Sequence, residues 1–147
     1  MRSTELATIE FGQAERATVA TIGGEVDMSN ADRLLDELMA RVGTTPWLIL
    51  DLTACAYLDS AGLRMVARVH QRCRTVGAGL RVVVDPGGSI DRVLEMTHMD
   101  EVLTVDPLLR DALGAALEEV DGAEPGVEGV GGSEPGVEGA DGGAIEP

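Results

Sequence analysis

Residues 47–52 read WLILDL, an almost unbroken apolar run. A strand with one wet face alternates apolar and polar side chains, whereas a run without alternation needs cover on both faces. The segment therefore predicts a central strand flanked by helices, and the surrounding sequence supplies them. Ala31, Leu34, Leu35, Leu38, Met39 and Val42 recur at i, i+3, i+4 and i+7, one face of a helix. Ser29 or Asn30 can cap its start, and Gly43 and Pro46 end it. A second helix is expected from about Ala61 to Val76, with a stripe of Leu63, Val66, Ala67, His70 and Cys73 and a stop at Gly77 and Gly79. LRVVV (80–84) reads as another buried strand and IDRVLEMTH (90–98) as a short helix capped by Ser89. EVLTV (101–105) is the last strand, and LLRDALGAALEEV (108–120) a closing helix behind Pro107.

Ahead of the first helix, ELATIEF (5–11) and ATVATIG (17–23) alternate as strands, and GQAER (12–16) between them supplies a hairpin turn. The order is β-β-α-β-α-β-α-β-α. Alternation after the hairpin implies parallel strands joined by crossover helices. The expected fold is α/β, a mostly parallel sheet with the first strand added antiparallel at an edge.

Composition changes near Val120. Residues 1–120 form the predicted domain. Residues 121–147 carry only acidic charge, contain EPGVEG twice (Glu124–Gly129 and Glu134–Gly139), and offer almost no large apolar side chains. Such a segment cannot bury enough surface to offset its ordering entropy, so a disordered, solubilising acidic tail is expected. No apolar run reaches membrane-spanning length, and the N-terminus lacks a signal peptide's apolar stretch. A cytoplasmic protein without membrane insertion is expected. The net charge of −15 repels phosphate backbones, which argues against direct binding of nucleic acid. Every basic residue is Arg, which removes Schiff-base and P-loop lysine chemistry. Cys55 and Cys73 lack Cys-x-x-Cys spacing and read as buried free thiols. Two histidines outside any Cys/His cluster give no metal site, and no cofactor is expected.

The most singular stretch is YLDSAGLRM (57–65), where strand-like residues run into a helical pattern. Ser60, beside Asp59 at the join, could be a cap, a nucleophile or a hydroxyl open to modification. A nucleophile needs a base within hydrogen-bond reach. His70 stands ten residues along the same helix, roughly 15 Å away by helical rise, and Asp-Ser-Ala-Gly is not a nucleophile elbow. Capping by Ser60 or Asp59 suits the residues. Gly62 is poor for a helix start unless another backbone approaches closely there. Leu63 and Met65 point to different sides of the helix, so one of them is expected at a docking surface.

GEVDMSNADRLLDEL (24–38), LILDLTACAYLDSAGLRMV (48–66) and DRVLEMTHMDEVLTV (91–105) together resemble the STAS domain (sulfate transporter and anti-sigma factor antagonist), over about residues 5–118. The stand-alone bacterial anti-sigma factor antagonist is the best match. The resemblance implies a partner-switching regulator and not an enzyme. It implies binding to an anti-sigma factor with serine kinase activity, which frees a sigma factor. By the same resemblance, phosphorylation at Ser60 is expected to break that complex and a PP2C-type phosphatase to restore it. It also implies a partner-binding set of Asp27, Asp59, Ser60, Ala61, Gly62, Leu63 and Met65, with Asp51 and Thr53 opening the signature. Ala61 replaces a second hydroxyl found in many relatives, and His98 stands where many have glycine. The alternative is a STAS accessory or scaffold subunit of a transporter or lipid-trafficking complex.

Overall fold

In the computed structural model, which describes residues 6–118, the chain opens with an antiparallel hairpin of β1 (Ala7–Ala14) and β2 (Ala17–Val26). There follow α1 (Ala31–Met39), β3 (Trp47–Asp51), β4 (Cys55–Leu58), α2 (Ser60–Val76) and β5 (Gly79–Val83). The described chain closes with α3 (Ser89–Met96), a 3-10 turn (Met99–Glu101), β6 (Val105–Asp106) and α4 (Leu109–Glu118). The sheet order is β1-β2-β3-β5-β6, with β4 also paired to β2. Every pairing after the hairpin is parallel.

The apolar run at 47–51 is buried at every position because the sheet is covered on both faces. Leu48 and Leu50 join the larger core with Leu34 and Leu38 of α1, Val66 and Val69 of α2, and Leu94 of α3. Trp47 and Ile49 point the other way, onto Ala112 and Ala116 of α4. Gly79 pairs in register with Trp47, and a Cβ there would lie 2.4 Å from the indole ring, so only glycine fits. The short β6 is tethered by a two-pronged ion pair: Arg81 donates to Asp106 at 2.8 and 3.1 Å.

Several local expectations need correction. The hairpin turn is tighter than GQAER: Gly12, Gln13 and Ala14 continue β1 in register with Val19, Thr18 and Ala17. Antiparallel pairing recruits residues whose own propensity for strand is low. β4 is an extra short strand, and the last strand is only Val105–Asp106, preceded by the 3-10 turn. Ser89 does not cap α3. It is the first helical residue, and its hydroxyl donates instead to the carbonyl of Ala56 on β4 at 3.0 Å. The buried stripe of α2 is Gly62, Met65, Val66, Val69 and Cys73, so the helix is rotated from the expected one and Ala67 faces outward. Cys55 and Cys73 are buried free thiols, and burial pushes Cys73 up to about 11. The expected tail at 121–147 lies outside the described residues.

Candidate functional site

The site begins with a change of partner by β2. Its first half pairs with β3, and its last residues pair with β4, Glu25 with Tyr57 and Val26 with Leu58. Gly24 makes the change. Its φ is +88°, a Cβ there would meet the Leu6 carbonyl oxygen at 2.0 Å, and the register shifts just after it. This is a glycine bulge that re-aims the end of the strand. The pairing sets the loops after β2 and β4 side by side, and the Asp59 N–H donates to the Val26 carbonyl at 3.1 Å to lock them.

Asp59 is the N-cap of α2. Its Oδ1 accepts from the backbone N–H groups of Ala61 (2.8 Å) and Gly62 (3.0 Å), satisfying two donors of the first turn. Ser60 is therefore the first helical residue and not the cap. Its side chain is exposed, and its hydroxyl has no hydrogen bond among the described residues. Of the alternatives left open for this serine, capping is thus taken by its neighbour.

Gly62 and Met65 do not belong to an accessible surface. A Cβ on Gly62 would sit 2.9 Å from Leu58 Cδ2 and 3.2 Å from Val26 Cγ1, so the close approach that demands glycine comes from the protein's own strands and not from a partner. Met65 is only 2% exposed and sits in the main core. Asp59, Ala61 and Leu63 are partly exposed, and Leu63 is the member of the Leu63/Met65 pair that reaches the surface.

Asp27 begins the neighbouring loop. Its Oδ1 accepts from the Ser29 N–H (2.9 Å) and hydroxyl (2.5 Å), and these bonds hold its carboxyl below the usual carboxylate range, the hydroxyl bond foremost. Asn30 holds the N-cap position of α1 as expected, but its side chain makes no bond to the first turn and staples the Asp27 turn. Its Oδ1 accepts from the Asp27 N–H and its Nδ2 donates to the Glu25 carbonyl. The stapled turn presents Met28, which is 82% exposed, while Tyr57 on β4 is 51% exposed. Sequence reasoning assigned neither residue to the site. Met28 lies outside any periodic stripe, and only its isolation in a polar loop marks it. At the end of β3, Asp51 accepts from the Thr53 N–H (3.0 Å) and hydroxyl (2.7 Å), which turns the chain toward β4.

Among the described residues no helix is long and apolar enough to cross a membrane, and no cluster of three His, Cys, Asp or Glu side chains could hold a metal ion. His70 borders an open cleft on the outer side of α2. Burial and the neighbouring Arg74 charge hold its imidazole below the ordinary value of 6.5.

Comparison with known proteins identifies the fold and the family. The chain is 27% identical over 115 residues to the anti-sigma-F factor antagonist RsfB of Mycobacterium tuberculosis, covering 77% of this chain and 92% of that one. It is 28% identical over 88 residues to the osmosensory protein A of the same species, of whose length it spans only about half, 55%. The crystal structure of an anti-sigma factor antagonist from Mycobacterium paratuberculosis superposes with a TM-score of 0.69 at 28% identity, over 76% of this chain and 94% of that one. With the mixed sheet, the β2–β4 rim and the STAS domain family matching residues 8–112, the chain belongs to the STAS domain family.

Proposed function

We propose that the chain is an anti-sigma factor antagonist that docks through the rim formed by the Asp27 loop and the start of α2, and that phosphorylation of Ser60 switches it off. The observation that carries this is the division of labour at the helix start. Asp59 does the capping, so the Ser60 hydroxyl is exposed and, among the described residues, uncommitted. The likeness to relatives named as anti-sigma factor antagonists supports the same assignment. The docking set becomes Asp27, Asp59, Ser60, Ala61 and Leu63, joined by Met28 and Tyr57. Gly62 and Met65 shape it from beneath.

The electrostatics favour a switch that leaves the fold intact. A phosphate adds about −1.5 to −2 charge at pH 7. At the N-terminus of α2 it gains about 0.3–1 kcal/mol from the helix dipole in the free protein. Within a desolvated interface, each phosphate charge about 5 Å from a fixed negative charge costs roughly 3 kcal/mol at an effective dielectric of about 20. Repulsion therefore exceeds the dipole gain, and the complex separates while the domain stays folded. The partner is an anti-sigma factor with serine kinase activity, a PP2C-type phosphatase resets the switch, and the chain acts in the cytoplasm by binding and not by turnover.

The test is to incubate the full chain with its cognate anti-sigma kinase and ATP and to map phosphate by mass spectrometry. Modification at Ser60 is expected. Phosphate found only outside residues 57–65 overturns the assignment. Stable co-purification with a membrane transporter, with no binding to any anti-sigma factor, would favour the accessory-subunit alternative.

A further inference from the structure

α2 is out of keeping with the rest of the chain. The protein has a net charge of −15, yet this helix carries Arg64, Arg68, Arg72 and Arg74 and no acidic residue. All four arginines are exposed, and among the described residues none has an ion-pair partner within 4 Å. Arg64, Arg68 and Arg72 follow one another at four-residue spacing, where like charges repel and weaken a helix. Beside them, Ala67, His70, Gln71, Arg74 and Thr75 line an open cleft of about 600 Å³ whose far wall is Val102, 60% exposed. The surface thus offers positive charge along one edge and a small apolar strip along the other.

The chain itself contains a segment of complementary chemistry. Residues 119–147 hold eight acidic side chains and no basic one, and each EPGVEG repeat sets a valine between two glutamates. We propose that the outer face of α2, with the adjoining Val102 cleft, is the docking site of this acidic C-terminal segment in cis. The glutamates face the arginine row, and the repeat valines meet Ala67 and Val102. Reach is sufficient: a flexible chain of 29 residues has a root-mean-square span of about 30 Å, comparable to the diameter of a small domain. Tethering of this kind supplies an effective concentration in the millimolar range, so individually weak contacts suffice. Ser60 opens the same helix, and the segment would lie next to the rim described above. The inference does not depend on Ser60 being modified.

The two native thiols are buried, so a nitroxide can be attached selectively to a Ser133→Cys full-length chain between the two repeats. Paramagnetic broadening of amide signals is then read in ¹⁵N-labelled protein at about 50 mM and about 500 mM salt, since screening shortens the Debye length severalfold over that range. Broadening concentrated at Ala67, Gln71, Arg74 and Val102 is expected at low salt. It should fall by at least about half at high salt and in a chain with Glu124, Glu128, Glu134 and Glu138 all changed to Gln, a variant that leaves the folded domain untouched. An Arg68→Gln, Arg72→Gln, Arg74→Gln chain should lose it likewise. Broadening spread evenly over the domain, or confined to the vicinity of Glu118, overturns the proposal. So does broadening of equal size in a mixture of spin-labelled ¹⁴N chains with unlabelled ¹⁵N chains, which would assign the contact to a second copy.

Discussion

Asp59 and Ser60 share a helix start but not a task. Asp59 accepts two backbone N–H groups and ties α2 to β2, while Ser60 is exposed and its hydroxyl has no partner among the described residues. Replacing a capping carboxylate by alanine removes about 0.5–2 kcal/mol of stability. Asp59→Ala should therefore lower the unfolding free energy in urea by an amount in that range, read from the fluorescence of Trp47, the only tryptophan and a buried one. Ser60→Ala should leave the unfolding free energy within about 0.5 kcal/mol of wild type, as surface changes away from special features do. If Ser60→Ala proves the more destabilising of the two, the serine is structural and the division of labour at this turn is wrong.

At the scale of elements, the sheet, its three crossover helices and the closing α4 were legible because burial on two faces leaves so plain a trace in WLILD and LRVVV. What escaped was set by partners distant in sequence. β4 is too short to announce itself and exists because Gly24 turns the end of β2 toward it. The rotation of α2 was misjudged because Ala67 and His70 mimic a stripe, whereas the tight fit of Gly62 against Leu58 and Val26 decides which side faces inward. At the site, Ser60 and Asp59 could be picked out from residue chemistry at a strand-to-helix join, but Met28 and Tyr57 could not, since exposure is a property of the folded surface. His98 is a further local case. It adopts φ 62°, ψ 17° between α3 and the 3-10 turn, the left-handed region that favours glycine. A side chain there costs about 1–2 kcal/mol, against which glycine loses roughly 0.5–1 kcal/mol in entropy. The exposed contact of His98 with Glu101 at 3.2 Å adds little. His98→Gly is thus expected to be neutral or to stabilise by up to about 1 kcal/mol in thermal or urea unfolding, and His98→Val to destabilise. A clear loss of stability in His98→Gly would show that the imidazole makes a contact of real weight.

At the scale of the whole molecule, stability should respond to mild acid through His70. Burial and the Arg74 charge lower its folded value below the ordinary 6.5, so the unfolded chain takes up a proton first. The contribution is present above 6.5 and is lost as pH falls through the lowered folded value. Unfolding midpoints should therefore drop between about pH 7.5 and pH 5.5, and His70→Gln should flatten that drop. An unchanged slope in the variant would place the titration elsewhere.

The proposed switch belongs to the molecule as a whole, since it requires a domain that stays folded while its surface changes partner. Its most direct measurement is the affinity of the cognate anti-sigma kinase for four full-length forms: wild type, Ser60→Ala, Ser60→Asp, and wild type stoichiometrically phosphorylated at Ser60. Wild type and Ser60→Ala should bind alike when ATP is absent. In its presence only Ser60→Ala should stay bound. Ser60→Asp should bind at least tenfold more weakly, about 1.4 kcal/mol, and the phosphorylated form more weakly still, all with an unfolding free energy within about 1 kcal/mol of wild type. Equal affinity of the phosphorylated and unphosphorylated chains would contradict the switch outright.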